Sequence, residues 1–208
     1  MDKFGIKGTL YDLLGYAIPG LTFIVGLVIM FLCRDCADKD ISLMNIANIK
    51  ISASMSLLVL IAGYILGHVF ASISSWLFER RGWNLSPKSR YEMNPEKVGE
   101  RFRGNYDKIF GTGSKIEFRN VIAYSEEKTK SVYDTAFVFL SIYGFSRNTS
   151  LALFFVLITH LIVLDHTAWS GWIILGIVLA IIALLHNYFR FREYYVKQIF
   201  ASLVVPLE

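Results

Sequence analysis

Charge is what this chain has least of. Only 18% of its 208 residues are Asp, Glu, Lys or Arg, whereas a soluble domain carries about a quarter, so an ordinary water-soluble globule is a poor fit. Cysteine is down to two, too few for a disulfide-built secreted scaffold. No segment alternates polar and apolar residues at period two, which speaks against a sheet, and no internal repeat is present. Disorder is excluded from the other direction, because 54% of the residues are hydrophobic and the mean hydropathy is +0.47; a disordered chain needs the opposite balance.

The apolar residues come in long blocks. Leu13 to Leu32 and Ile51 to Phe78 hold no charged residue over 20 and 28 positions, and Gly171 to Phe189 adds 19 more, uncharged apart from a proton that His186 could take up. About 20 apolar residues cross the hydrocarbon layer as a helix. A fourth block, Leu151 to Leu164, has only 14 residues. It can span if it starts near Phe145 and Arg147 extends its head toward water. The first block is too long for a cleaved signal sequence and no small-x-small site follows it, so it reads as a retained anchor. The fold class expected is all-α: a polytopic membrane protein with four transmembrane helices, over 13–32, 51–78, 145–164 and 171–189, and a helical cytoplasmic layer formed by 79–144 and a C-terminal helix over 190–206.

Lys and Arg are unevenly shared between the connections. The stretch from Glu79 to Asn148 carries thirteen, the N-terminal tail two and the C-terminal tail three, against three between the first two spans and none near Asp165. The side rich in Lys and Arg faces the cytoplasm, which puts both termini and the middle stretch inside a bacterial inner membrane. Seventy residues are too many for a bare connection. Asn94-Pro95 reads as a helix start, with a stripe at Val98, Phe102, Tyr106 and Ile109 that Gly111 ends. Ser114 and Glu117 read as a capping box for a second helix. Glu126 and Glu127 open a third, with Val132, Ala136, Phe139 and Tyr143 on its apolar face, long enough to run as one rod into the third span. Val196, Ile199 and Leu203 give the C-terminal helix a face that must cover something, most simply the middle-stretch helices.

Within the spans, Gly63, Gly67, Ala71 and Ser75 recur every four residues, a groove that lets another helix approach closely. It serves either self-association or packing between spans of one chain; Gly176 and Ala180 form a shorter version. Pro19-Gly20 should kink the first span, as a hinge or as a fit to its neighbours. His68 is the ionisable group deepest in the second span, and His186 lies at a compatible depth. With no carboxylate in any span to hold a proton, His68 reads best as a neutral bridge to another span, ahead of a proton-sensitive gate or a metal ligand. Cys33 and Cys36, on the oxidising side of the membrane, are candidates for a short-loop disulfide. A lone C-x-x-C makes no metal site, and Gly111 to Lys115 lacks the spacing and the strand of a phosphate loop. No catalytic constellation is visible, so the chain does not read as an enzyme; no cofactor or metal is called for. The cytoplasmic stretch is basic, thirteen cations to nine acids. That suits topology and anionic lipid better than direct binding of nucleic acid.

The phrases Leu14-Gly-Tyr-Ala-Ile-Pro-Gly20 and Gly63-Tyr-Ile-Leu-Gly-His68, the long basic middle stretch, and Tyr143-Gly-Phe-Ser-Arg147 before the third span resemble small four-span inner-membrane proteins of anti-phage systems. These are the membrane subunit of the Kiwa system and the membrane accessory proteins beside RNA-targeting CRISPR nucleases. The resemblance implies antiviral defence with a separate cytosolic partner that handles nucleic acid. The residues themselves suggest an oligomeric effector or sensor acting through membrane perturbation or a pore lined by groups such as Ser52, Ser56, His68 and Ser72. A second reading is a non-conducting scaffold that recruits a soluble protein; a third, a membrane-embedded enzyme, has only His68 and His186 to draw on.

Overall fold

The structure is a computed structural model that describes residues 11–38, 52–80, 95–163 and 168–204. It is all-helical, with no strand among the described residues, and four of its helices are long and apolar enough to cross a membrane. Helix α1 (Ile18–Asp38) follows a π-helical turn at Leu13–Ala17, and α2 (Ala53–Ser75) runs into a second one at Trp76–Arg80. Then come α3 (Pro95–Arg101), α4 (Arg103–Phe110), α5 (Phe118–Lys128), α6 (Lys130–Val163) and α7 (Ala168–Ala201). The chain forms two compact units whose boundaries fall at Arg80/Arg81, Tyr143/Gly144 and His186/Asn187, so α6 and α7 each contribute to both.

The first unit contains the apolar blocks. Its helices meet through their smallest residues. A Cβ on Gly20 would run into the carbonyl of Gly63, one on Gly67 into the carbonyl of Tyr16, and one on Gly63 would lie 2.8 Å from the Leu21 side chain. Backbones this close are held by dispersion and by Cα–H groups directed at carbonyls. Phe70 fills the space beside them, edge-on to Phe23 at 5.2 Å and stacked on Phe155 at 5.9 Å, against Leu151 and Ala152. Burial is shared unequally: half of the most apolar window in the third span is buried, but only 6% of that in the fourth. Leu175, Leu179 and Ile182 are accordingly exposed, as side chains facing lipid should be.

The second unit has a different core. Val98, Tyr106, Ile116, Val121, Ala136, Val196, Ile199, Phe200 and Leu203 form one buried cluster. Helical spacing places Val196, Ile199 and Phe200 on one face of α7; with Leu203, in the turn after the helix ends at Ala201, they meet residues of α3, α4, α5 and α6. The Tyr106 hydroxyl fastens the α4–α5 connection, donating to the Lys115 carbonyl at 3.0 Å and accepting from the Glu117 N–H at 3.2 Å. Arg103 Nη2 donates to the Ser114 carbonyl at 2.8 Å. Gly111 and Gly113 have φ of 96° and 82° in this turn, a region that disfavours any residue with a Cβ.

Several boundaries differ from the sequence reading. The stripe over 95–110 is not one helix, because Phe102 leaves helical geometry at φ −107°, ψ 11°. Ser114 does not cap α5; its hydroxyl donates back to the Gly111 carbonyl at 2.8 Å, and the cap position falls to Glu117. Glu126 and Glu127 close α5 instead of opening the next helix, which starts at Lys130 after Thr129 breaks the chain at φ −134°, ψ 64°. From there α6 runs unbroken to Val163.

Candidate functional site

Pro19 determines what lies around it. It has no N–H to give the carbonyl four residues back, and its ring crowds that carbonyl. The carbonyl belongs to Gly15. The chain widens there into the π turn, where the Ile18 N–H reaches the Leu13 carbonyl; insertions of this kind often mark functional positions. Pro19 and Gly15 are buried, so water does not make up the missing bond.

The missing donor comes from the third span. Asn148 Nδ2 donates to the Gly15 carbonyl at 2.6 Å across 133 positions of sequence. Its Oδ1 accepts from Ser74 Oγ of the second span at 2.6 Å and from Arg147 Nε at 3.2 Å. The amide sits this way round because, reversed, its NH2 would face the Arg147 Nε–H and its oxygen the Gly15 carbonyl. Three spans therefore meet at one hydrogen-bonded side chain. The surroundings are polar and enclosed, since Ser146, Arg147, Asn148, Thr149 and Ser150 are all at most 7% exposed. Arg147 corrects an expectation: its head is folded into this junction instead of reaching toward water.

His68 lies beside the junction, next to Gly67, and meets the same first-span residue, Tyr16. Its ring stacks on Tyr16 with centroids 3.9 Å apart and 15° between planes, and Tyr64 meets it edge-on at 4.6 Å. The bridge to another span expected of His68 is thus a ring stack, and among the described residues its nitrogens take part in no hydrogen bond. His68 is exposed, as are Tyr64, one helical turn before it, and Ser72, one turn after. Ser72 Oγ donates to the His68 carbonyl at 2.9 Å, and Ser56 Oγ to that of Ser52 at 3.2 Å, which settles both hydroxyls within their own helix.

The remaining sequence candidates fall as follows. Gly63 and Gly67 are occupied by the first span of the same chain, so these two do not form a free self-association face; Ala71 and Ser75 are half-buried. Beyond its chain neighbours and the backbone of its own helix, no described atom lies within 4 Å of where a Cβ on Gly176 would sit. His186 is exposed, and the rings around His68 are those of Tyr16 and Tyr64. Cys33 and Cys36 both fall within α1, and Asp165 and His166 lie outside the described residues. Among the described residues no group of three His, Cys, Asp or Glu could share a metal ion. Tyr16, Ser74 and Asn148 were not singled out from sequence. The available signal was the orphaned carbonyl that Pro19 implies, together with five consecutive polar residues, Ser146 to Ser150, in a helix that has to span. Comparison with protein families, curated proteins and solved structures finds no match to this chain.

Proposed function

We propose that this chain is an oligomeric inner-membrane effector or sensor, with its basic segments and both termini in the cytoplasm, that answers a cytosolic partner by perturbing the membrane. A role in anti-phage defence follows from the resemblance alone. One observation carries the oligomeric reading: an imidazole within a membrane span is exposed, although Tyr16 covers one face of its ring, and has no hydrogen-bond partner among the described residues. A neutral imidazole has one donor and one acceptor. Leaving such groups unmet in hydrocarbon costs on the order of 2–7 kcal/mol, so polar residues within spans turn toward other helices or water. A second copy of the chain, or a water-filled path between copies, supplies what lipid does not. Tyr64 and Ser72 extend the same face by a turn in each direction, and copies joined through it would bring these groups to a common axis.

The test is assembly and leakage of the full chain in liposomes of anionic phospholipid. His68→Phe keeps a ring to stack on Tyr16 but removes both nitrogens. The expected outcome is loss of assembly by cross-linking and loss of dye release. Assembly without release in the unaltered protein would favour the scaffold reading, and a monomer at all lipid ratios would defeat both.

A further inference from the structure

We infer that Asn148 is a positioning residue that stands in for the N–H Pro19 lacks, and that by holding the Gly15 carbonyl it keeps Tyr16 stacked on His68. The exposed imidazole face is on this view the product of three spans, with the third acting through a single amide. Gly15 is four residues before Pro19, so its carbonyl is the one that loses its helical donor. The replacement bond is 2.6 Å long and comes from a side chain that is 1% exposed. Of the three bonds Asn148 makes, the one to Gly15 has no substitute nearby: Ser74 Oγ also reaches the Ala71 carbonyl of its own helix at 3.1 Å. Tyr16 is the residue next to Gly15. Its carbonyl abuts Gly67, where a Cβ would not fit, and its ring lies over His68. A shift of the Gly15 peptide therefore moves the ring that covers one side of the imidazole.

The tyrosine stack gives a readout that loss of packing alone would not move. The full chain in lipid nanodiscs, labelled with 13C and 15N in histidine only, reports the ring-current shift of the His68 ring, and Tyr16→Leu marks the value with the stack removed. We expect N148A to move the His68 signals toward the Tyr16→Leu value and to raise the unfolded-to-folded ratio in mixed detergent about tenfold, the usual cost of an unsatisfied buried carbonyl. P19A restores a backbone amide able to serve Gly15. In that background N148A should cost clearly less than it does beside Pro19, the remainder being the Arg147 and Ser74 bonds it also removes, and the His68 signals should return toward their original positions. Equal penalties in the two backgrounds, or His68 signals that N148A leaves in place, would overturn the inference. If N148A alone yields no folded protein, P19A/N148A decides: recovery supports the compensation and continued failure defeats it. These readouts lie within one chain, so they can fail without touching the assembly reading, and the reverse also holds.

Discussion

The two units differ in what makes their closest contacts. In the first, the tight contacts belong to Gly20, Gly63 and Gly67, a run of polar residues from Ser146 to Ser150 is enclosed, and Leu, Ile and Val cover the outside. In the second, Tyr106, Val121, Ile199 and Phe200 are fully enclosed, while Lys and Glu side chains such as Glu100, Lys108 and Glu127 are exposed. One chain thus follows two packing rules. In water, burying apolar area drives assembly at roughly 25 cal/mol per Å². In lipid, the tails are as apolar as leucine and that force vanishes, leaving close backbone approach and hydrogen bonds to hold helices together. The difference between the units marks the change of solvent along the chain more sharply than hydropathy does.

The largest expected effect tests the water rule. Phe200 is fully buried, stacked on Phe102 at 6.0 Å and on Phe118 at 5.6 Å. Phe200→Ala should destabilise the second unit by about 3–5 kcal/mol, read as a lowered urea midpoint by pulse proteolysis. A cost below about 1 kcal/mol, the scale of ordinary surface changes, would break the comparison on this side. Next is the lipid rule. Gly67→Ala adds one carbon, yet that carbon meets the Tyr16 carbonyl, and backbone yields less readily than side chains. A loss of about 3 kcal/mol, the upper end for overpacking, is expected, seen as greater sensitivity to SDS. A neutral result would mean that the first two spans do not pack through this glycine.

How far the sequence reveals this fold depends on the range of the interaction concerned. Spans were legible because crossing hydrocarbon needs an uncharged run of fixed length, which is a local property. The Val196 and Ile199 face was legible for a similar reason, since spacing defines it; the helix, expected to run to 206, ends at Ala201, and Leu203 reaches the same core from the turn beyond. Helix ends in the second unit were less so. Ser114 and Glu117 have the spacing of a capping box, but two glycines with positive φ turn the chain so that the Ser114 hydroxyl meets Gly111 instead. The hydrogen-bonded junction was hidden for a third reason. Pro19 announces an orphaned carbonyl, but its donor lies 133 residues away, and no local pattern points to Asn148. Read locally, Arg147 reached for water; in the fold, Asn148 gives it an acceptor inside.

A smaller effect separates area from hydrogen bonding within the second unit. Tyr106→Phe keeps the buried ring and removes only the hydroxyl that ties Lys115 and Glu117 together. About 1–2 kcal/mol should be lost, since the Glu117 N–H loses its acceptor, read as a lowered urea midpoint, and proteolysis in the turn around Gly113 should quicken. If the turn stays protected, Arg103 is sufficient to hold it through Ser114.

The smallest effect on folding is the most telling about solvent. Gly67 and Gly176 are both glycines within apolar spans, and only the neighbours differ: backbone at one, open space among the described residues at the other. In water, Gly176→Leu would add an exposed apolar side chain and invite aggregation. In lipid, leucine meets tails as apolar as itself and favours helix more than glycine does. SDS sensitivity should therefore change by no more than about 0.5 kcal/mol, as at a surface site, and any change should be toward greater stability. Cross-linking of the same variant reads a second property. If copies assemble through the exposed side of the second span, Gly176→Leu leaves the cross-linked species intact while His68→Phe removes it. Loss of cross-linking in Gly176→Leu, with folding unchanged, would move the contact to the fourth span, making its smaller groove of Gly176 and Ala180 the place where two copies meet.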